Sequence, residues 1–254
     1  MKHLAAATFL ACSMAEASQG TPKPDPKPSP DVLAVAPQLY SYTTDVLFAE
    51  VWKRKDLDPR DRSLITLASL LAGGQTAQMT GHISLGLDNG LKPGEISALI
   101  THLAFYSGWP NAMSAAAVAK TVFAERGITS EQLQPSKDRL TLNEESEKKR
   151  RESVDNAVGS VAPDLARYTN DVLFGDLWRT TDLSPRDRSL ITVAALITQN
   201  QSAQLPFHLN RAMDNGLTQA QASEVVTHLA FYAGWPKAMS AVPVLKQVLD
   251  SRKS

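Results

Sequence analysis

Residues 57–78 read LDPRDRSLITLASLLAGGQTAQ, and residues 183–204 read LSPRDRSLITVAALITQNQSAQ. A second stretch, THLAFYSGWPNAMSA at 101–115, returns as THLAFYAGWPKAMSA at 227–241. From Leu57 to Leu183 and from Thr101 to Thr227 the offset is the same, 126 residues. A constant offset across two separated blocks means that one structural unit is present twice. The rare side chains obey it. Apart from His3, the histidines pair as His82 with His208 and His102 with His228. The tryptophans pair as Trp52 with Trp178 and Trp109 with Trp235. A matched place in both copies gives each of these side chains a set job, in packing or in chemistry.

Each unit reads as helical throughout. Pro59, Pro93 and Pro110, with Pro185 and Pro236 in the second copy, stand where a first-turn proline opens a helix. Gly90, Gly127 and Gly216 stand where a left-handed residue closes one. Residues 63–71 and 96–106 carry apolar side chains at mixed i+1, i+3 and i+4 spacings, the pattern of helices buried on more than one side. No sustained period-two alternation bounded by hairpin turns occurs. The expectation is an all-α protein of two tandem helical units.

The chain divides by composition. Lys2 and His3, an apolar run at 4–11 and the small-x-small triplet Ala15-Glu16-Ala17 predict a signal peptide over 1–17. The protein is thus expected to be exported, periplasmic or secreted. Lipid anchoring through Cys12 fits less well, because Phe9 and Leu10 match a lipobox poorly. A proline-rich linker follows at 18–31, then a first unit at 32–127, a charged linker at 128–157 and a second unit at 158–250. Acids and bases alternate in the charged linker, as in Glu145-Ser146-Glu147-Lys148-Lys149-Arg150-Arg151-Glu152, which predicts a solvated connector or exposed helix.

Several function classes drop out. With 26 Lys and Arg against 26 Asp and Glu, no basic excess points to nucleic acid. One cysteine excludes a disulfide framework and any two-cysteine redox motif. Neither HxxxH nor HExxH spacing is present, so no metal is expected, and no phosphate loop, nucleotide fingerprint or nucleophile elbow appears. The apolar runs are too short to give the mature chain a transmembrane segment.

Among the polar residues, Gln75, Gln78 and His82 fall at i, i+3 and i+7, which puts them on one face of a predicted helix. Gln201, Gln204 and His208 repeat this. Histidine exchanges a proton near neutral pH, and glutamine holds a carboxylate or carbonyl without charge. His82 and His208 are therefore the candidate catalytic residues. Arg62 and Arg188, at the start of the second predicted helix, are candidates for forking onto a substrate carboxylate, or else for pairing with Asp61 or Asp187. His102 and His228 sit on a strongly apolar helix and read as satisfied core histidines touching Tyr106 and Tyr232 one turn on. The Trp-Pro pairs read as hydrophobic anchors at a loop-to-helix corner.

RDRSLITLASLLAGGQTAQMTGHISLGLDNG, followed by THLAFYSGWPNAMSA, resembles the carboxymuconolactone decarboxylase family, over about residues 32–127 and again 158–250. The resemblance implies the alkylhydroperoxidase-like helical fold and assembly into trimers or hexamers of units. It places an active pocket near the helix that carries His82, close to a subunit interface. It also implies decarboxylation of an acidic unsaturated lactone, without a cofactor, in the breakdown of aromatic acids. For a two-unit chain the expected assembly is a homotrimer. In the decarboxylases of this family the positions of Gln75 and Gln78 carry arginine and glutamate, and in the disulfide-reductase branch they carry a CxxC pair. Three readings follow: a cofactor-free lyase or isomerase on a small oxygenated acid or lactone, an exported binding or scaffold protein, and a peroxidase. The missing CxxC disfavours the last.

Overall fold

A computed structural model describes residues 28–253. The expected signal peptide, Cys12 and most of the proline-rich linker lie outside these residues. The first unit enters through α1 (Pro30–Val35) and α2 (Pro37–Ser41), which runs on as a wider helical stretch to Phe48. Four longer helices follow: α3 (Pro59–Ala72), α4 (Thr76–Asp88), α5 (Pro93–Ser107) and α6 (Trp109–Glu125). After the connector helix α7 (Glu144–Val154), the second unit repeats the set. It comprises α8 (Pro163–Tyr168), α9 (Pro185–Thr198), α10 (Leu205–Asp214), α11 (Gln219–Ala233) and α12 (Trp235–Ser251). Among the described residues no β-strand forms beyond one isolated bridge, Arg139 to Thr180, and no helix is long and apolar enough to cross a membrane.

The expected proline starts of α3, α5, α6, α9 and α12 are all in place. Gly90, Gly127 and Gly216 adopt positive φ as expected. Two further glycines matter for the corners. Gly108 and Gly234 take φ of 88° and 97° between α5 and α6 and between α11 and α12, where a side chain would be strained.

α3 and α9 form the centre. Every residue from Asp61 to Ala72 and from Asp187 to Thr198 is buried, so no face of either helix meets water. Some of their buried polar side chains bond within the helix pair. Ser63 donates to the Pro59 carbonyl at 3.1 Å, and Thr198 Oγ1 donates to Ser69 Oγ at 2.9 Å, joining the two helices. At their other ends Arg60 pairs with Asp187 at 2.8 Å and Arg186 with Asp61 at 2.6 Å. Such reciprocal pairing is the mark of an isologous, two-fold-like interface, here built within one chain.

The two units interlock. α4 and α6 cover their own α3, whereas α5 packs on α9 of the second unit and α11 packs on α3 of the first. Each unit thereby completes the environment of the other's central helix.

Two expectations are corrected here. The Trp-Pro corners are not buried anchors: Trp109 and Trp235 remain 53% and 56% exposed, each edge-on to a phenylalanine one turn earlier. The charged linker is not wholly solvated. Arg150 of α7 is buried, lies 4.5 Å above the Phe174 ring and donates to Asn170 Oδ1 at 2.9 Å. It also pairs with Glu147 at 2.9 Å, and this carboxylate, with the aromatic cover, allows the guanidinium to leave water.

Candidate active site

The crossing of α5 over α9 brings Arg188, Thr192 and His102 together. Arg188 is wholly buried and donates from Nη1 to His102 Nδ1 at 3.2 Å. Guanidinium has only donors, so Nδ1 accepts and the imidazole proton sits on Nε2. That proton is donated to Thr192 Oγ1 at 2.7 Å, and the threonine hydroxyl in turn donates to the Arg188 carbonyl at 2.8 Å. The first unit's central helix has the same arrangement with α11. Arg62 Nη1 lies 3.3 Å from His228 Nδ1, and His228 Nε2 lies 2.8 Å from Thr66 Oγ1. His102 and His228 are thus satisfied core histidines that touch Tyr106 and Tyr232, with ring centroids 4.9 and 5.0 Å apart. They also tie an arginine of the opposite unit in place.

An aromatic wall joins these to the other histidine pair. Trp178 donates to Tyr106 Oη at 2.8 Å, and both rings face His208, at 5.9 and 5.3 Å. Trp52 donates to Tyr232 Oη at 2.9 Å, and both face His82, at 6.1 and 5.4 Å. Nδ1 of His82 and Nδ1 of His208 are buried without a hydrogen-bond partner. Each imidazole therefore keeps a hydrogen-bonding capacity that the chain itself does not meet.

Burial holds all four imidazoles neutral. It pushes His82 down to about 4 and His208 and His228 to about 3, with Arg211 adding its charge at His208 and Arg62 at His228. His102 lies well below the ordinary histidine range, from burial first and Arg188 second. These groups bind protons in the unfolded chain before they do so in the folded one. Their contribution to stability is therefore complete above about pH 6.5 and is lost as pH falls toward the folded values. Each accounts for up to about 1.4 kcal/mol per pH unit. The urea midpoint is expected to fall steeply between pH 6 and pH 4, and a flat midpoint there would contradict the buried, neutral assignment.

Gln78 lies on α4 one turn before His82, as the periodicity predicts, but the other three glutamines fall outside the helices. Gln75 is the cap preceding α4, and Gln201 and Gln204 precede α10, whose first turn is set by Pro206. Proline opens the helix there and leaves the preceding residues outside it. Gln75, Gln78, Gln201 and Gln204 are all exposed. Gln75 and Gln201 donate to nearby carbonyls, of Gly73 at 3.5 Å and Gln199 at 3.4 Å, rather than to an imidazole. Neither arginine pairs with its neighbouring aspartate, since Asp61 and Asp187 are held by Arg186 and Arg60.

The two sets differ in charge. Around Arg62, the buried Glu224 of α11 lies 2.8 Å from Arg62 Nη1 and accepts from Arg54 Nε. Around Arg188 no carboxylate is within ion-pairing distance among the described residues. A second cation, Arg211, lies 4.3 Å above Trp178, also with no carboxylate paired to it. Glu224 and Arg211 escaped the reading of the sequence, although a signal was present. At the 126-residue offset they stand opposite Ala98 and Leu85, so each is a charge that appears in one copy only.

The model of the carboxymuconolactone decarboxylase family matches residues 37–121 and again 163–247. The chain belongs to the carboxymuconolactone decarboxylase family. Over 86 residues it is 36% identical to the 4-carboxymuconolactone decarboxylase of Acinetobacter baylyi, an alignment of 34% of this chain and 64% of that one. The chain thus spans less than two thirds of that relative's length. It is 29% identical over 103 residues to the nitrosuccinic acid decarboxylase of Metarhizium robertsii, covering 39% and 71%. A solved structure from Burkholderia xenovorans, described as a gamma-carboxymuconolactone decarboxylase subunit, superposes with a TM-score of 0.53. It covers 89% of this chain and 92% of its own at 18% identity, which speaks for the fold alone. In this family's terms, the present chain carries two units whose central helices each borrow a histidine and a tyrosine from the other.

Proposed function

We propose that the protein is a cofactor-free carboxy-lyase acting on a small oxygenated acid or lactone. The observation that carries this is the set of cationic and neutral donors around Tyr106 and Trp178. Among the described residues Arg188 and Arg211 have no paired carboxylate, and His208 Nδ1 has no partner beside the same two rings. An anionic substrate held by arginine supplies the missing negative charge. Opposite charge beside His208 raises its pKa from the depressed value, so the imidazole takes up a proton as the acid binds. Loss of CO2 leaves the bonding electrons on the substrate carbon, conjugated into a neighbouring carbonyl. His208 then returns its proton to that carbon, and the imidazole is neutral again. The family membership and the two decarboxylases among the relatives support this reading.

The test is CO2 release from 4-carboxymuconolactone and from nitrosuccinic acid by the purified chain, with no cofactor added. Release from either acid is the expected result. No release from these or related small oxo-acids would favour the binding or scaffold reading. We also propose that the chain is exported and self-associates as a trimer. Exposed Trp109 and Met113 on α6, with Trp235 and Met239 on α12, support the association, since such patches mark interfaces. Protein taken from its native cell should begin near Ser18 and sediment heavier than one chain; a start at Met1 or a clean monomer would count against each.

A further inference from the structure

The two arginine sets differ at Glu224 of α11 and at Arg54, which both face Arg62 of the first unit. Glu224 is 2% exposed and sits between two guanidiniums. Its Oε1 is 2.8 Å from Arg62 Nη1, and its two oxygens are 2.9 and 2.8 Å from Arg54 Nε. At the 126-residue offset, Glu224 corresponds to Ala98 and Arg54 to Thr180. Both replacements are short. Where the first half has a salt-bridged carboxylate, the second has a cavity of about 100 Å³, lined among others by Ala98, Thr180, Asp182 and Arg188.

Arg188 is 0% exposed and meets this cavity with no carboxylate in ion-pairing contact among the described residues, although Asp182 lines the same cavity. Its Nη1 bonds His102 and its Nη2 bonds the Thr180 carbonyl and hydroxyl at 2.9 and 2.6 Å. Asp182 contributes a field but no contact: its Oδ1 accepts from the Ser136 amide at 2.6 Å. Burial without a paired anion lowers Arg188 to about 10. A buried guanidinium is costly unless an anion meets it. For the equivalent Arg62, the molecule's own answer is a carboxylate.

We infer that the cavity beside Arg188 is an open subsite for a small carboxylate, and that the equivalent place beside Arg62 is occupied permanently by the chain's own Glu224. The halves have then divided their roles. One binds an external acid, and the other is closed by an internal one and serves as scaffold. The residues lining the cavity do not include Tyr106, Trp178 or His208, so the subsite goes beyond the lyase reading and stands on geometry that does not require turnover.

The experiment is equilibrium dialysis of the intact chain against radiolabelled succinate. The wild type is expected to bind one succinate per chain. Ala98→Glu, which builds the Glu224 arrangement in the second half, is expected to bind none and to raise the melting temperature, because Arg188 gains a permanent partner. Should that variant fail to fold, Ala98→Gln fills the same space without charge and is also expected to lose the succinate. No binding, two bound per wild-type chain, or unchanged binding in the filled variant would overturn the assignment. The lyase reading is judged separately. One succinate bound and lost on filling, in a chain that releases no CO2 from any acid, retains the subsite and removes the lyase. CO2 release from a chain that binds no succinate does the reverse.

Discussion

His208→Gln is expected to lower CO2 release by about a hundredfold to ten-thousandfold, the usual cost of removing one general acid–base group. His82→Gln is expected to leave most of the activity in place. Glutamine keeps a hydrogen-bonding head of similar reach but cannot exchange a proton near neutral pH, so the change separates acid–base chemistry from packing. The asymmetry between the two variants follows from the charges around them. His208 shares Tyr106 and Trp178 with arginines that have no paired carboxylate among the described residues, whereas on the side of His82 the buried Arg62 is already paired with Glu224. Circular dichroism and sedimentation on both variants should match the wild type. Equal losses from the two single variants would mean that both sets turn over. Full activity in His208→Gln would move the proton transfer elsewhere in the site.

Glu224→Ala is expected to destabilise the fold by about 3–5 kcal/mol, because it strands Arg62 as a buried charge without its anion. Arg62 is wholly buried and has no route to water, unlike Arg54, whose side chain is half exposed. Glu224→Gln should fall between the variant and the wild type, since an amide oxygen still accepts from the guanidinium but brings no charge. Urea unfolding of the three proteins measures this directly. A loss below about 1 kcal/mol in Glu224→Ala, the range of exposed pairs, would show that the pair is not held in a buried setting.

Much of the architecture was legible in the residues. The repeat offset, the proline starts and the closing glycines are local features, and local sterics decide them whatever the rest of the chain does. His102 and His228 were readable as core histidines because an imidazole amid Leu, Ala and Phe must be satisfied internally. Gln201 and Gln204 depart from the helical pattern for an equally local reason. Helical periodicity was extended through a stretch that Pro206 and the left-handed Asn200 keep out of α10.

Which side chains share a site was not local. Arg62 meets His228 and Glu224, and Arg188 meets His102, across sequence separations that no spacing rule spans. The sequence by itself determined two copies of a helical unit with matched histidines, tryptophans and arginines. Only the tertiary structure decided that each central arginine is completed by the other copy, because α5 and α11 cross to the opposite unit's central helix. It also decided that the copies are unequal. A glutamate opposite an alanine is a single difference in a repeat alignment. Once buried beside a guanidinium, it determines whether that cation is satisfied within the chain or left for an outside acid, because a buried charge must find its partner within a few ångströms.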